Sequence, residues 1–172
     1  GVRWSDGALS HTPAPAHCSG CHAGSRPTGL VGASPFNHAI AATGDVDMAY
    51  KLGVACGQEA AALGINWAYA PVVDIDLNFR NPITNTRTFG ADPQRIAEMA
   101  TAYIRGVQEN GVAATAKHFP GDGVDERDPH LVTTVNTMSC HEWDDTYGKV
   151  YKACIDAGTM AVMVARIAQR AY

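Results

Sequence analysis

Four places in the chain carry residue types able to move protons or grip polar ligands. Lys117 and His118 stand side by side at the end of an apolar run, and Pro120-Gly121-Asp122-Gly123 follows at once. A lone imidazole at such a position reads as a satisfied core residue. A cationic neighbour and a glycine-rich turn at a strand end favour a ligand-binding pair. Asp128-Pro129-His130 is a second candidate. Proline fixes one backbone angle between an acid and an imidazole, and such a pair can orient the ring and raise its basicity. The plainer reading of the Asp125–Asp128 stretch is a solvated acidic loop. Arg87 offers a planar fork that suits sugar hydroxyls or a carbonyl, or serves only to clamp its loop. Asp74 lies within an apolar stretch, where an ionised carboxylate is costly unless paired. It can face substrate or hold a neighbouring loop by accepting backbone N–H bonds, and the sequence leaves both open.

The elements that must position these groups recur with a regular rhythm. A helix over 46–63 is expected, with Thr43 or Asp45 as cap, an apolar stripe of Met48, Leu52, Ala55, Cys56 and Leu63, and Gly64 at its end. An apolar run of strand type follows from Trp67 to Ile75. Asp92-Pro93 opens a second helix, cap then proline, whose Ile96, Met99, Ala100, Tyr103, Ile104 and Val107 form one face. A second strand covers Val112 to Phe119, then a long polar loop from Pro120 to Met138. Ser139 and Glu142 make a capping-box pattern for a third helix with Trp143, Tyr147, Val150, Tyr151, Cys154 and Ile155 on one face. A third strand spans Thr159 to Ala165. The strand starts Trp67, Ala113 and Thr159 are spaced 46 residues apart. All three strands read as buried on both faces, which suits a parallel sheet covered by helices. An open doubly wound sheet and a (β/α)8 barrel both fit. In either, functional groups gather at the C-terminal strand ends, where the candidates above lie.

Composition excludes several classes. The 172 residues suffice for one domain with a sizeable core. Apolar residues make up 46% and charged residues 17%, an ordinary globular balance. A net charge of −4 gives no basic surface for nucleic acid or an anionic membrane, and no apolar run is long enough to span a bilayer. The first 35 residues, rich in Gly, Pro, Ser, Ala and His, have no sustained periodicity and read as an irregular segment, with the regular domain over 36–172. Five cysteines are an odd count with no disulfide framework. Three of them, Cys56, Cys140 and Cys154, fall on helical positions. A reducing compartment follows, and hence a cytoplasmic location.

The motifs Ala70-Pro71-Val72-Val73-Asp74-Ile75-Asp76, Thr86-Arg87-Thr88-Phe89-Gly90-Ala91-Asp92-Pro93, Ala116-Lys117-His118-Phe119-Pro120-Gly121-Asp122-Gly123 and Asp128-Pro129-His130 resemble, in this order, signatures of glycoside hydrolase family 3. The acid–His pair after the Lys-His strand resembles the β-N-acetylglucosaminidase branch rather than the β-glucosidases. The resemblance implies a partial (β/α)8 TIM barrel with about three parallel strands, and a retaining mechanism acting on a carbohydrate with a β-linked N-acetylglucosamine-type sugar. It implies that Arg87, Lys117 and His118 bind sugar hydroxyls, that His130 is the general acid/base with Asp128 as its partner, and that Asp74 and Asp76 shape the pocket floor. Neither metal nor cofactor is implied. The family's nucleophile is an Asp on a later strand, so this stretch of chain is expected to be inactive alone. Arg166 stands where the family usually has His, and the segment 1–32 looks foreign to it.

Other readings remain at this stage: a β-glucosidase-type family 3 hydrolase, or a non-catalytic sugar-binding remnant with the same motifs. Cys18-Ser19-Gly20-Cys21-His22 also matches the pattern of c-type haem attachment. No compact helical frame surrounds it, so chance explains it better, and incidental metal binding by His17, Cys18, Cys21 and His22 is the lesser variant.

Overall fold

The computed structural model describes residues 37–169. The irregular segment read over 1–35, with its haem-type motif, lies outside the described residues. Helix α1 (Asn37–Ala42) leads into α2 (Val46–Ala62), which Asp45 caps by accepting a bond from the Asp47 N–H. Gly64 ends α2 with φ +74°. The buried face of α2 is Ala49, Leu52, Gly53, Cys56, Gly57 and Ala60, and Met48 turns to solvent. The expected stripe was therefore placed partly wrong, because the packing partner selects small residues rather than large ones. A Cβ on Gly53 would collide with the backbone of Tyr103 in the next helix, and one on Gly106 with the backbone of Tyr50. The two helices meet backbone to backbone, which only glycine permits.

That next helix, α3 (Pro93–Gln108), has Asp92 as N-cap and proline in its first turn. Ile96, Met99, Ala100, Tyr103, Ile104 and Val107 are buried on one face, as the spacing requires. It packs between α2 and α5 (Lys149–Asp156). Ser139 and Glu142 form the expected reciprocal cap at α4 (Cys140–Trp143). Between α4 and α5 the helix widens into a π-turn, Asp144–Gly148. Tyr147, Val150, Tyr151 and Cys154 face the core, while Ile155 is exposed.

The strands are parallel and short. Residues 67–73 run beside β1 (Thr115–Phe119) through bridges at Trp67–Ala113 and Val72–Lys117, and β1 pairs with β3 (Ala161–Val164) from Thr115–Ala161 onward. The order in space follows the order in sequence. Proline at position 71 donates no hydrogen bond, and the first run contributes isolated bridges rather than a continuous ladder. Two features depart from expectation. The polar stretch before α4 contains β2 (Thr134–Asn136), which pairs in parallel with β4 (Ile167–Gln169) just past β3. And β3 is not buried on both faces: Val162 and Val164 are exposed, because among the described residues β3 has a partner strand only on its β1 side. The fold is α/β, with helices packed over short parallel strands. No helix among the described residues is long and apolar enough to cross a membrane.

Candidate active site at the strand ends

The strand ends open into one cavity of about 750 Å³, and its lining includes Arg87, Lys117, His118, Asp122, His130 and Arg166. Residues from three separate loops thus converge at one end of the sheet. Arg87 ends a 3₁₀ turn (Asn85–Arg87) after the first run; Lys117 and His118 close β1; Arg166 follows β3.

Asp74 lies beneath this cavity, fully buried. Its Oδ1 accepts the backbone N–H groups of His118 (3.0 Å) and Asp122 (2.8 Å), and its Oδ2 lies 2.6 Å from His118 Nδ1. Both possibilities left open by the sequence meet here: Asp74 clamps a loop and also orients a pocket imidazole. Burial alone would raise its carboxyl; the His118 charge and hydrogen bonds outweigh that and hold it below its ordinary value. The carboxylate therefore stays ionised and keeps the proton on His118 Nδ1, leaving Nε2 as the ring's other polar atom.

Asp122, which the sequence did not single out as a site residue, shares this lining. Its Oδ1 accepts from Gly123 N–H and from Asn81 Nδ2. Burial and the nearby Asp74 charge raise its carboxyl above the ordinary value. The turn that carries it requires glycine. Gly121 and Gly123 have φ +128° and +108°, and a Cβ would strike the Tyr147 ring at the first and the Ile75 carbonyl at the second. The π-turn helix holds this turn from behind: Trp143 Nε1 donates to the Pro120 carbonyl at 2.6 Å, and the Tyr147 hydroxyl donates to the Asp122 carbonyl.

Asp128 and His130 form the second acid–imidazole pair. Asp128 Oδ1 accepts the His130 N–H at 2.8 Å and lies 2.7 Å from His130 Nδ1. The backbone bond, then the side-chain bond, lower the Asp128 carboxyl. The proline between them is buried, while the His130 side chain is 71% exposed. The loop that carries the pair is pinned at its base by Asp125. That carboxylate accepts from Val135 N–H in β2 and from the Arg127 guanidinium, which holds its carboxyl far below the usual range.

Arg87 is suspended between its neighbours. Its Nη1 donates to the Ile83 carbonyl at 3.1 Å, and Asn37 in α1 donates to the Arg87 carbonyl at 2.8 Å. Its Nε is buried with no hydrogen-bond partner. A buried donor on a cavity wall is costly unless something accepts from it. Among the described residues there is no group of three or more His, Cys, Asp or Glu side chains placed to hold a metal ion.

The profile of the "Glycosyl hydrolase family 3 N terminal domain" matches residues 19–171, beginning inside the segment read above as atypical. A "Beta-N-acetylglucosaminidase/beta-glucosidase" of Cellulomonas fimi is 61% identical over 136 residues, 79% of this chain and 24% of that protein. A solved structure of a family 3 β-N-acetylglucosaminidase from Paenibacillus sp. strain FPU-7 superposes with a TM-score of 0.78 at 35% identity, over 81% of this chain and 27% of that one. A β-glucoside phosphorylase solved with 2FGlc bound superposes with a TM-score of 0.77 at 52% identity, over 78% of this chain and 24% of that one. The chain thus spans about a quarter of the length of these relatives. Sequence profile, relatives and superposed structures agree: the chain belongs to glycoside hydrolase family 3, in its N-terminal domain.

Proposed function

We propose that this chain provides the sugar-gripping and proton-transfer side of a retaining glycosidase site. Its three parallel strands are then an arc of a (β/α)8 barrel. The observation that carries the reading is the convergence of Arg87, Lys117, His118 and His130 on one cavity at the strand ends. Arg87 and Lys117 supply donors for sugar hydroxyls, and the unpartnered Arg87 Nε supports such a role. His118, its Nδ1 held by Asp74, presents Nε2 to the same sugar. His130, exposed and paired with Asp128, protonates the glycosidic oxygen and then draws a proton from the incoming acceptor, work an imidazole can do in both directions. Most retaining glycosidases use a carboxylic acid for this step. The two-step mechanism also needs a nucleophile to form the glycosyl-enzyme bond, a role none of the pocket residues above is given. The substrate class is a β-linked N-acetylglucosamine-type sugar, with β-glucosides as the alternative; the double name of the Cellulomonas relative supports keeping both.

A second reading concerns the acceptor. The name of the phosphorylase relative, and a cavity lined by Arg87, Lys117 and Arg166, favour inorganic phosphate over water. In that case a phosphate oxygen displaces the nucleophile from the anomeric carbon and the product is a sugar 1-phosphate. An imidazole acid/base, unlike a carboxylate, does not repel the arriving anion.

The test uses the longest natural polypeptide that carries this sequence, with an aryl N-acetyl-β-glucosaminide and an aryl β-glucoside, each with and without phosphate. Turnover lost on replacing His130 is the expected result. Free sugar as product supports water as acceptor, and sugar 1-phosphate supports phosphate. No turnover of either substrate would overturn the reading.

A further inference from the structure

The side chain of Asn81 links the loop that carries Arg87 to the stretch that leads to His130. It is 1% exposed. Its Oδ1 accepts from Ile83 N–H (2.8 Å), Thr84 N–H (2.9 Å) and the Thr84 hydroxyl (3.2 Å). Its Nδ2 donates to Asp122 Oδ1 (2.9 Å) and to the Asp125 carbonyl (2.7 Å). The orientation of the amide is fixed by chemistry: a flipped side chain would set oxygen against two oxygens and nitrogen against two N–H donors. Both donor hydrogens are used, and the carbonyl is more than satisfied.

The two sides of this amide serve different loops. Ile83 and Thr84 hold Arg87, which donates to the Ile83 carbonyl and whose own N–H donates to the Thr84 carbonyl at 2.9 Å. Asp122 and Asp125 belong to the stretch that leads to Asp128 and His130. Asn78 also crosses between these loops, but lower down, at Gly123 and Val124, and it does not touch Ile83 or Thr84. We propose that Asn81 is a positioning residue that locks the arginine loop and the acid/base loop into one body, so that substrate grip by Arg87 and proton transfer at His130 are gained or lost together. The kinetic half of this proposal rests on the functional reading above; the structural half does not.

Hydrogen exchange followed by mass spectrometry, on the natural polypeptide, tests the structural half. Asn81→Ala is expected to speed exchange about tenfold or more, the protection lost with a buried hydrogen bond, in both 78–90 and 121–135, with α3 unchanged. Asn81→Asp separates the two sides and is the variant to use where Asn81→Ala does not fold. It keeps the acceptor for Ile83 and Thr84 but turns a carboxylate toward Asp122 and the Asp125 carbonyl. Its loosening is expected in 121–135 alone, and to lessen as pH falls and the new carboxyl gains a donor hydrogen. Asn78→Ala should leave 83–87 protected. Loosening of one loop only in Asn81→Ala, loosening of α3 as well, or none at all would overturn the proposal.

Kinetics tests the other half. Asn81→Ala should raise KM and lower kcat on poor leaving groups, and its kcat effect should vanish in a His130→Ala background, since residues acting through one another are not additive. An additive effect would overturn the coupling. A wild-type protein without turnover, together with loosening of both loops in Asn81→Ala, would sink the functional reading and leave the lock standing.

Discussion

The molecule contains the same chemical pair twice, in opposite surroundings. Asp74 and His118 are 2.6 Å apart with side-chain exposures of 1% and 17%; Asp128 and His130 are 2.7 Å apart with exposures of 28% and 71%. The contact is alike, so burial decides the difference. The first pair sits under the sheet's end, its carboxylate saturated by two backbone N–H groups and a ring nitrogen. Such a pair keeps one orientation, which suits the substrate grip proposed for His118. The second pair is on a loop open to solvent, where its ring is free to meet a substrate or water. An acid/base needs that freedom and a substrate grip does not.

The contrast breaks most visibly in catalysis. His130→Ala should slow cleavage of poor leaving groups by about 10²–10⁴-fold and spare good ones, because proton donation matters least when the leaving group is already acidic. His118→Ala should instead raise KM similarly across leaving groups. Asp128→Ala should follow the pattern of His130→Ala more mildly. Equal loss across all leaving groups for His130→Ala would make His130 a second grip and erase the distinction.

Stability should split the pairs the other way. Removing one partner of a buried, hydrogen-bonded pair typically costs about 3–5 kcal/mol. Asp74→Ala should approach that in urea unfolding, since three donors lose their acceptor. Asp128→Ala, on a loop open to solvent, should shift the midpoint far less. Similar midpoints for the two variants would show that burial is not what separates the pairs.

Acid should affect them unequally as well. The Asp74 carboxyl is lowered in the folded state, so its contribution is complete above the unfolded-state value near ~3.9 and is lost as pH falls through the lower folded value. The fall in stability over that acid range should be shallower in Asp74→Asn, read from unfolding midpoints at successive pH values.

The smallest expected effect sharpens the buried side. Asp122 has the opposite shift, raised by burial and by Asp74. Its ionisation therefore costs stability, progressively as pH rises from the unfolded-state value through the folded one. Asp122→Asn keeps an oxygen for Gly123 and Asn81 and should stabilise the protein at neutral pH, by less than about 1 kcal/mol, with the gain gone below pH ~3.9. Destabilisation at neutral pH would mean that the Asp122 charge is needed where it sits.

How much of this could be read beforehand varies from one residue to the next. The α3 face was legible because Ile96 to Val107 repeat with the helix period, and Lys117 and His118 because they interrupt an apolar run at its end. Asp128 and His130 were legible because proline between acid and imidazole is a local pattern. The link between Asn81 and Asp122 was not. Their hydrogen bond joins residues 41 apart, and no local period records a contact of that kind. Met48 misled because it is apolar at a helical spacing yet faces solvent, while the α2–α3 contact is made by Gly53 and Gly57. The β2–β4 pair escaped because three-residue strands, Thr-Val-Asn in one and Ile-Ala-Gln in the other, are too short to show an alternating pattern.

The π-turn at Asp144–Gly148 makes the helix sensitive to length as well as to composition. It carries one more residue per turn than its neighbours, and it lies between Trp143, which bonds to the Pro120 carbonyl, and Val150, Tyr151 and Cys154, which face the core. Losing a single codon here would turn everything beyond it by about 100°, carrying those three side chains away from the interior. Many substitutions on the outer face of this helix should be tolerated in the gene, whereas an in-frame deletion of one residue should not.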